Sequence, residues 1–279
     1  MTKAAAGPAR AAKKKRLISI LSMYDRLVVA FSGGVDSTFL LAAAKEALDD
    51  RVTAVTADSR IHSRREIQEA LETAKRIGVR HVMLPLAEMT APEFVANPPE
   101  RCYHCKQLVF GEIMRIAAQM GAQRVAHGVN LDDLDDYRPG LKAAAEMGVA
   151  APLVEAGLTK ADIRALSRRM GLPTWNKPSM ACLASRIPYG RPITAQALKM
   201  VEASEELLFD MGFSGCRVRH HGEVARIETA VRDLSKALRP ELRPRIIEGL
   251  KTIGFKHVAV DLEGYVSGSL NRAIKKKVD

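Results

Sequence analysis

The sequence has no long apolar run, and no stretch approaches the ~18 consecutive apolar residues that a membrane-spanning helix needs. It also lacks the apolar core of a secretory signal, because its first residues are rich in Ala and Lys. We therefore expect a cytoplasmic protein that does not contact a membrane. Hydrophobic residues make up 47% of the 279-residue chain, which supports a full core in one large or two smaller domains. Internal repeats are absent as well.

Acidic residues are missing from the N-terminal segment, and this explains most of the net charge of +11. Residues 1–16 carry +6, and the last eight residues carry +3, so the body of the chain is left with about +2. We expect residues 1–16 and 273–279 to be disordered basic tails. A nearly neutral body favours a small-molecule site over a nucleic-acid groove.

Cysteine is scarce, with residues at positions 102, 105, 182 and 216. Disulfides are not expected in a cytosolic protein. Cys102 and Cys105 form a C-x-x-C unit, which fits half of a zinc site, a redox pair or a cluster site. No second C-x-x-C exists to complete a zinc ribbon with four cysteines. Cys182, far along the chain, would supply a third thiolate.

Three thiolates suit an iron–sulfur cluster of the 4Fe-4S type, in which one iron stays open to an external sulfide. Zinc bound by three thiolates and His104, or simple buried thiols, are the alternatives. A histidine between two cysteines is also compatible with packing, so His104 is not assigned as a ligand. Cys216 begins a predicted strand and is interpreted as a small buried hydrophobe.

The segment Phe31–Thr38 joins an apolar run to a helical run, which predicts a strand, a glycine-rich turn and a helix start. Two glycines allow a tight turn whose N–H groups face an anion, and the helix N-terminus adds positive potential. The absence of Gly-Lys-Ser/Thr excludes a Walker A motif, and the pattern resembles the PP-loop of ATP pyrophosphatases. Asp36 provides a hard oxygen ligand for Mg²⁺. The binding candidates in this loop are Ser32, Gly33, Gly34, Asp36 and Ser37.

Short apolar runs alternate with helical stretches up to about residue 154, which predicts a Rossmann-like parallel sheet with helices on both faces. Ser63 and Glu66 predict a capped helix that ends at Gly78, Lys106–Met120 is predicted to be a second helix, and Thr159 and Asp162 predict the start of a further one. Ligands of such sheets bind beyond the carboxyl ends of the strands, where Asp58–Arg60 and Gly128–Arg138 would lie. The irregular stretch Gly171–Arg191 is interpreted as an active-site loop. A small C-terminal α+β module with the order β-β-α-β follows. The predicted domains are residues 17–192 and 193–272.

Several motifs recur together in order and resemble the LarE-type ATP-dependent sulfur transferases. They are Ser32–Ser37, Arg101–Lys106, Gly128–Asp133 with Asp136–Gly140, Ala181–Gly190, and the tail motifs Gly254–Phe255, Val260–Leu262, Gly264–Tyr265 and Ser267–Ser269. The resemblance covers about residues 17–272. The PP-loop is shared by a wide superfamily, whereas the Cys182 loop and the Asn130–Gly140 stretch are specific.

The resemblance implies an enzyme that helps to synthesise the nickel-pincer nucleotide, which is the cofactor of lactate racemase. Its members adenylylate the carboxylates of pyridinium-3,5-biscarboxylic acid mononucleotide with ATP, release pyrophosphate and then replace AMP with sulfur. In one branch a single loop cysteine gives up its sulfur and becomes dehydroalanine. In the other, three cysteines hold a 4Fe-4S cluster that delivers sulfide. The presence of Cys102, Cys105 and Cys182 places this chain with the cluster branch.

Residue roles follow from the motifs and from this resemblance. The PP-loop would bind the β- and γ-phosphates with Mg²⁺, the region of Asp58 would meet adenosine, and Asn130 and Asp133 would approach ATP or serve as solvated caps. Cys182 would react as a thiolate, favoured by nearby Arg186. The anionic substrate would contact Arg186, Arg217 and Arg219. Glu205 and Glu228 would face the site, through a metal or as salt-bridge partners.

Three rival functions remain open at this point. A tRNA thiolase also combines a PP-loop with a three-cysteine cluster, although the nearly neutral body argues against RNA binding. An amide ligase of the NAD or GMP synthetase kind would not need the distant Cys182. A nucleotide sensor would bind ATP without turnover. We expect a homo-oligomer, as for other PP-loop proteins, and a separate sulfide source as partner.

Overall fold

The structure, a computed structural model, describes residues 6–135, 138–178, 181–266 and 268–272. It divides the chain into two compact units, one of Met1–Glu88 with Cys102–Met180 and one of Met89–Arg101 with Ala181–Asp279. Residues 89–101 and 181–192, which the sequence-based boundaries assign to the first domain, therefore group with the second unit. The predicted tail 273–279 lies outside the described residues.

The first unit is built from alternating strands and helices. In chain order they are α1 (Ala6–Leu21), β1 (Leu27–Ala30), α2 (Val35–Leu48), β2 (Val52–Asp58), α3 (Arg64–Ile77), β3 (Arg80–Pro85), α5 (Arg101–Gln119), β4 (Arg124–His127), α6 (Pro139–Glu146), α7 (Pro152–Glu155) and α8 (Lys160–Arg169). The short helix α4 (Pro92–Val95) precedes α5 in the chain and belongs to the second unit. None of the helices in the described part of the chain is both long and apolar enough to cross a membrane.

The strands of the first unit form one parallel sheet in the order β3-β2-β1-β4, which confirms the predicted α/β fold. Neighbouring residues of a strand face opposite sides of the sheet. Val29 accordingly packs with residues of α1, α2, α3 and α8, whereas Val28 packs with residues of α5 and α6. Because both faces are covered, the central strand β1 is apolar throughout rather than alternating.

Capping signals in the sequence set several helix ends. The Ser63 side chain accepts a hydrogen bond from the Glu66 N–H at the start of α3, and Gly78 ends that helix in the left-handed conformation. Thr159 and Asp162 form the capping box expected at the start of α8. Helix α5, expected from residue 106, already begins at Arg101, so the C-x-x-C unit lies in its first turn.

The second unit contains a three-stranded sheet in the order β5-β6-β7, in which β5 and β6 are antiparallel and β7 is parallel to β6. Its elements are α9 (Ala195–Asp210), β5 (Arg217–His221), β6 (Val224–Glu228), α10 (Leu234–Ala237), α11 (Arg243–Ile253) and β7 (His257–Val260). One face of the sheet is apolar and packs on α9 and α11 through Val218, Ile227, Leu208 and Leu250. The predicted β-β-α-β order is found in these elements.

Residues 6–16, which the sequence analysis assigned to a disordered tail, form the first part of α1. Two contacts fasten this helix to α8, since Arg10 Nε and Lys13 Nζ bind the two carboxylate oxygens of Asp162 at 3.0 and 2.5 Å. Its C-terminal part buries Leu17 and Leu21 completely. Ala, Lys and Arg are all strong helix formers, so a basic run continues a helix wherever its apolar end is packed.

We predict that Asp162→Asn weakens the folded state at about pH 7 by about 1–2 kcal/mol, because a charged partner of two cations is lost. Burial opposes ionisation of Asp162, but hydrogen bonds from Lys13, Arg10 and Thr159 hold its pKa below the ordinary value. A carboxylate whose pKa is lower in the folded state stabilises the fold at pH values above the ordinary carboxyl pKa. This stabilisation is lost as the pH falls through the folded-state pKa. Urea unfolding across this pH range measures the difference between wild type and variant.

The control is Glu46→Gln, whose carboxylate pairs with Lys14 and is 47% exposed, compared with 12% for Asp162. Its effect should stay within about 0.5 kcal/mol. An Asp162→Asn protein as stable as wild type at about pH 7, or equally weakened at about pH 3, would contradict this account of α1.

Candidate active site

The turn after β1 is fixed by close backbone packing. The Phe31 N–H donates to Val55 O on β2 at 2.8 Å, and Gly33 follows with φ of 67°. A Cβ atom at Gly33 would lie 2.9 Å from the Ala70 Cβ of α3. Both the left-handed conformation and the lack of space therefore require glycine at this position.

Hydroxyl groups hold the turn together from inside. The Ser32 and Ser37 Oγ atoms lie 3.1 Å apart, the Ser32 N–H donates to Ser37 Oγ at 3.3 Å, and the Gly34 N–H donates to Ser32 Oγ at 3.4 Å. No side chain caps the N-terminus of α2, which begins directly after Gly34. The strand, the turn and the uncapped helix start form the arrangement that binds phosphate in other proteins.

Asp36 lies in the first turn of α2, where one carboxylate oxygen pairs with Lys160 Nζ and the other, Oδ1, is buried without a partner. Burial raises the pKa of Asp36, and the ammonium of Lys160 opposes that rise. A buried carboxylate oxygen without a donor is a suitable ligand for a hard cation such as Mg²⁺. The residues present therefore fit the predicted magnesium ion.

Two lysines beside the PP-loop were missed by the sequence analysis. Lys160 is the first residue of α8, and Lys177 donates to Gly33 O at 3.2 Å while pairing with Glu69 at 2.8 Å. Arg164 fixes the loop that carries Lys177, because its guanidinium donates to the Trp175 and Lys177 carbonyls. No spacing in the sequence indicates that these lysines reach the loop.

The end of β2 carries Asp58, which pairs with Arg64 at 2.6 Å and remains partly exposed. The next residue, Ser59, donates to the buried carboxylate of Glu88 at 2.5 Å. The structure thus places Asp58 at the predicted carboxyl edge of the sheet. Its contact with adenosine stays a prediction.

The loop after β4 is stabilised by Asn130 and Asp133. The Asp133 carboxylate accepts bonds from the backbone and side-chain N–H groups of Asn130 at 3.0 and 2.8 Å and pairs with Arg138 at 2.7 Å. Asp132 accepts from the Lys160 N–H at 2.8 Å, which ties this loop to the start of α8. Asp136, Tyr137 and Ser267, which belong to the quoted motifs, lie outside the described residues.

Cys102 and Cys105 are one turn apart at the start of α5, and both are partly exposed. Residues at i and i+3 share one face of a helix, so the C-x-x-C unit presents its two thiols side by side. Helix α6 approaches them closely, because a Cβ at Gly140 would lie 3.3 Å from Cys102 O. Cys182 belongs to the second unit, and the described residues contain no group of three His, Cys, Asp or Glu side chains that could hold a metal ion.

In the second unit, Cys182 is partly exposed and precedes a 3-10 turn, Leu183–Arg186. The buried Arg186 organises this turn, since Nη1 donates to Cys182 O at 2.9 Å while Nε and Nη2 bind the two oxygens of Glu205 at 2.8 Å. Arg186 therefore lies beside the backbone of Cys182 and is anchored by a bidentate ion pair, and its effect on the Cys182 thiol stays a prediction.

The predicted arginines of β5 are also buried and engaged. Arg217 stacks over the Tyr265 ring at 5.1 Å and donates to Cys216 O. Arg219 donates to Ser185 O at 2.8 Å and to Glu228 at 2.7 Å. Glu205 and Glu228 thus act as arginine partners in the structure, which is the salt-bridge alternative considered for them. Their metal-binding role stays a prediction.

Asn97 and Arg101 hold the Cys182 loop, and the sequence analysis assigned neither of them a role. The Asn97 amide, buried at a left-handed backbone position, donates to the carbonyls of Pro188 and Arg191 at 2.8 Å. The buried guanidinium of Arg101 donates to Asn97 Oδ1 at 2.5 Å and to Ala184 O at 3.0 Å. Asparagine tolerates the left-handed region, which is the only signal that its position offers.

We predict that Gly128→Ala disables nucleotide binding. A Cβ at Gly128, directly after β4, would lie 2.7 Å from the backbone N of Ser37. The PP-loop would have to shift, and we expect ATP to bind at least about tenfold more weakly, a loss of about 1.4 kcal/mol. Calorimetric titration with a non-hydrolysable ATP analogue measures this.

The matched control is Gly111→Ala within α5, where the nearest side-chain atom would be 4.0 Å away. It should bind the analogue like wild type and unfold at the same or a higher denaturant concentration, because alanine favours the helix. If Gly128→Ala bound the ATP analogue as tightly as wild type, this contact would not determine the conformation of the PP-loop.

Comparison with known proteins gives both partial and nearly full-length matches. A family model described as asparagine synthase matches residues 23–131, which include the PP-loop. The tRNA-specific 2-thiouridylase MnmA of Azorhizobium caulinodans is 30% identical over 190 residues, covering 55% of this chain and 49% of that protein. Both similarities leave much of the chain unmatched.

Two relatives extend over nearly the whole chain. An uncharacterized protein of Synechocystis sp. is 38% identical over 264 residues, covering 95% of this chain and 98% of that protein. Pyridinium-3,5-bisthiocarboxylic acid mononucleotide synthase of Lactiplantibacillus plantarum is 36% identical over 267 residues, covering 95% of this chain and 96% of that protein. The chain therefore belongs to the LarE-type family of pyridinium-3,5-bisthiocarboxylic acid mononucleotide synthases, within the PP-loop ATP pyrophosphatases.

Proposed function

We propose that this protein is an ATP-dependent sulfur transferase. It adenylylates the carboxylates of pyridinium-3,5-biscarboxylic acid mononucleotide and replaces AMP with sulfur, giving thiocarboxylates of the nickel-pincer precursor. The observation that carries the proposal is similarity over 95% of this chain to a synthase of the bisthiocarboxylic acid product. The PP-loop and the arginine-rich second unit support it, because the reaction needs a nucleotide site and an anionic substrate.

In the first half-reaction, a substrate carboxylate oxygen attacks the α-phosphorus of ATP and pyrophosphate leaves. Charge develops on the leaving group, where the N–H groups at the start of α2 and the ammonium groups of Lys160 and Lys177 stabilise it. Magnesium held through Asp36 would neutralise phosphate charge. The acyl adenylate that forms carries AMP as its leaving group, and AMP leaves far more readily than an oxygen atom of a free carboxylate would.

In the second half-reaction, a sulfur nucleophile attacks the acyl carbon and the C–O bond to AMP breaks. If Cys182 itself reacts, the resulting thioester loses a proton from the cysteine Cα, the Cβ–S bond breaks, and the thiocarboxylate leaves dehydroalanine behind. Cys182 suits this role because its backbone is fixed by Arg186 while its side chain is partly exposed.

We favour delivery of sulfide through a 4Fe-4S cluster, held by Cys102, Cys105 and Cys182. The adjacent, partly exposed thiols of the C-x-x-C unit fit two of the ligand positions. When bound, such a cluster would supply a sulfide at the iron that no cysteine ligates, so that no cysteine is consumed. An external sulfide source is then a required partner.

We predict that the purified protein with ATP and Mg²⁺ releases pyrophosphate only when the pyridinium dicarboxylate mononucleotide is present, and that sulfur enters the product. Lys177→Ala should lower the rate of pyrophosphate release by about 10–1000-fold, because a charge that stabilises the leaving group is lost. Coupled pyrophosphate detection and mass spectrometry of the product measure these effects. Lys256→Ala, which removes an exposed ion pair with Glu223, is the matched control.

The rival functions give different results in this assay. Carboxylate-independent turnover, or sulfur found in added tRNA rather than in the mononucleotide, would overturn the proposal in favour of a thiouridylase-like activity. Product formation that persists in Cys182→Ala with ammonia as nucleophile would indicate an amide ligase. Tight ATP binding without pyrophosphate release for any carboxylate would indicate a nucleotide sensor.

For the sulfur source, we predict about four irons per chain after anaerobic purification, with matching acid-labile sulfide. Cys102→Ala, Cys105→Ala and Cys182→Ala should each lose the visible absorption of the cluster. Cys216→Ala should keep it, because burial raises the pKa of Cys216 to about 12 and keeps this thiol protonated. Protein without iron, zinc or sulfide, but with dehydroalanine at position 182 after turnover, would instead establish the sacrificial route.

A further inference from the structure

The carboxylate of Asp36 is bonded differently from that of Asp162, although both side chains are largely buried, with 18% and 12% exposed. Asp162 has one oxygen on Arg10 Nε and the other on Lys13 Nζ. At Asp36, Lys160 Nζ binds Oδ2, and Oδ1 is buried without a partner. An unpaired buried acceptor costs free energy, so a role in stability alone does not account for the bonding of Asp36.

Asp36 belongs to the same helix start that is suited to phosphate. Helix α2 begins directly after Gly34 without a side-chain cap, and Asp36 lies in its first turn. The N–H groups of a helix start favour anions, so phosphate oxygens and the Asp36 carboxylate would meet at this end of α2. One carboxylate together with phosphate oxygens is the ligand set that Mg²⁺ uses in nucleotide sites.

The backbone of Lys160 is fixed, whereas its side chain is free to change direction. Its N–H donates to the Asp132 carboxylate at 2.8 Å, and Thr159 caps α8 immediately before it. The side chain is 31% exposed and carries a compact ammonium group on a flexible four-carbon stem. The ammonium group can therefore leave Asp36 by rotation of its own stem while α8 stays in place.

Lys160 and a divalent cation compete for this one carboxylate, because two cations on the two oxygens of Asp36 repel each other at close range. Without a nucleotide the tethered ammonium group has the advantage, since Mg²⁺ gives up its water reluctantly and would gain a single carboxylate. Bound ATP reverses this balance. Its phosphate oxygens offer further ligands to the metal and a new anionic partner to the ammonium group.

We propose that Lys160 occupies the cation position on Asp36 until a nucleotide binds, and then releases Asp36 to the metal and moves to the phosphate chain. Lys160 thus determines when a divalent cation binds, so that the metal and ATP enter the site together. The proposal rests on the proposed use of ATP with Mg²⁺. It does not depend on the carboxylate substrate or on the sulfur source.

The test measures the binding of Mn²⁺, a spectroscopic substitute for Mg²⁺, from the electron paramagnetic resonance signal of the free ion. Without nucleotide, Lys160→Met should bind Mn²⁺ at least about tenfold more tightly than wild type, because the competing ammonium group is absent. Lys160→Gln should show the same gain. Adding Asp36→Asn to Lys160→Met should abolish the gain, since the carboxylate is the shared partner.

The matched control is Lys177→Met, which removes an equal charge beside the same loop but from Gly33 O and Glu69 rather than from Asp36. It should tighten Mn²⁺ binding by about threefold at most, through the general field alone. Saturating α,β-methylene ATP should cancel the advantage of Lys160→Met. With Mn²⁺ present, wild type should bind this analogue about tenfold more tightly than Lys160→Met, because its ammonium group then contacts phosphate.

Wild-type Mn²⁺ affinity in both Lys160→Met and Lys160→Gln would overturn the proposal. An equal gain in Lys177→Met, or a gain that persists with Asp36→Asn, would overturn it as well. If Mn²⁺ affinity rises in the Lys160 variants but no protein binds the analogue, Lys160 still holds the cation position and the proposed use of ATP fails instead. Binding of the analogue as expected, but without pyrophosphate release for any carboxylate, would likewise overturn the proposed function and not the exchange at Asp36.

Discussion

The constraint on which the first unit depends is the close approach of backbone to backbone around the PP-loop. The turn can lie against α3 only because Gly33 has no Cβ, and the end of β4 can lie against α2 only because Gly128 has none. These two contacts fix the start of α2 at the carboxyl edge of the sheet. The N–H groups at the start of α2 carry no side-chain cap, and Lys160 and Lys177 add charge at the same place.

The second unit is distinguished by buried arginine side chains. Arg186, Arg217 and Arg219 lose nearly all contact with water. Carbonyls, an aromatic ring or a glutamate contact each guanidinium group, although Arg219 Nε has no hydrogen-bond partner. Such buried pairs add little to stability on balance, because desolvation of the charges offsets their attraction. Their value lies in rigidity, since a bidentate partner such as Glu205 holds a guanidinium in one orientation.

Local signals in the sequence predicted much of the fold, and their success has a simple physical cause. Ser63, Gly78 and Thr159 act on backbone groups within a few residues, so the helix ends they set can be recognised without tertiary information. Helix α1 was missed because its stability comes from Asp162, about 150 residues away in the chain, and from the burial of Leu17 and Leu21.

The candidate site shows the same difference between local signals and contacts that join distant parts of the chain. The PP-loop is one contiguous segment, and its residues could be named from their spacing. Lys177 reaches Gly33 O only because Arg164 orders an irregular loop, and Asn97 holds the Cys182 loop through carbonyl groups that every sequence possesses. Every residue type offers a backbone carbonyl, so a hydrogen bond to a carbonyl does not require a particular residue at the accepting position. Sequence patterns therefore do not reveal such contacts.

The proposed reaction changes the charge of one group of the substrate and leaves the charge of another unchanged. Adenylylation removes the negative charge of the reacting carboxylate, so a cation that gripped this group would lose its partner halfway through the cycle. A phosphate monoester keeps its charge through both half-reactions. Binding energy from this remote, unreacting group can therefore hold the substrate while ATP, pyrophosphate, AMP and sulfur exchange around it.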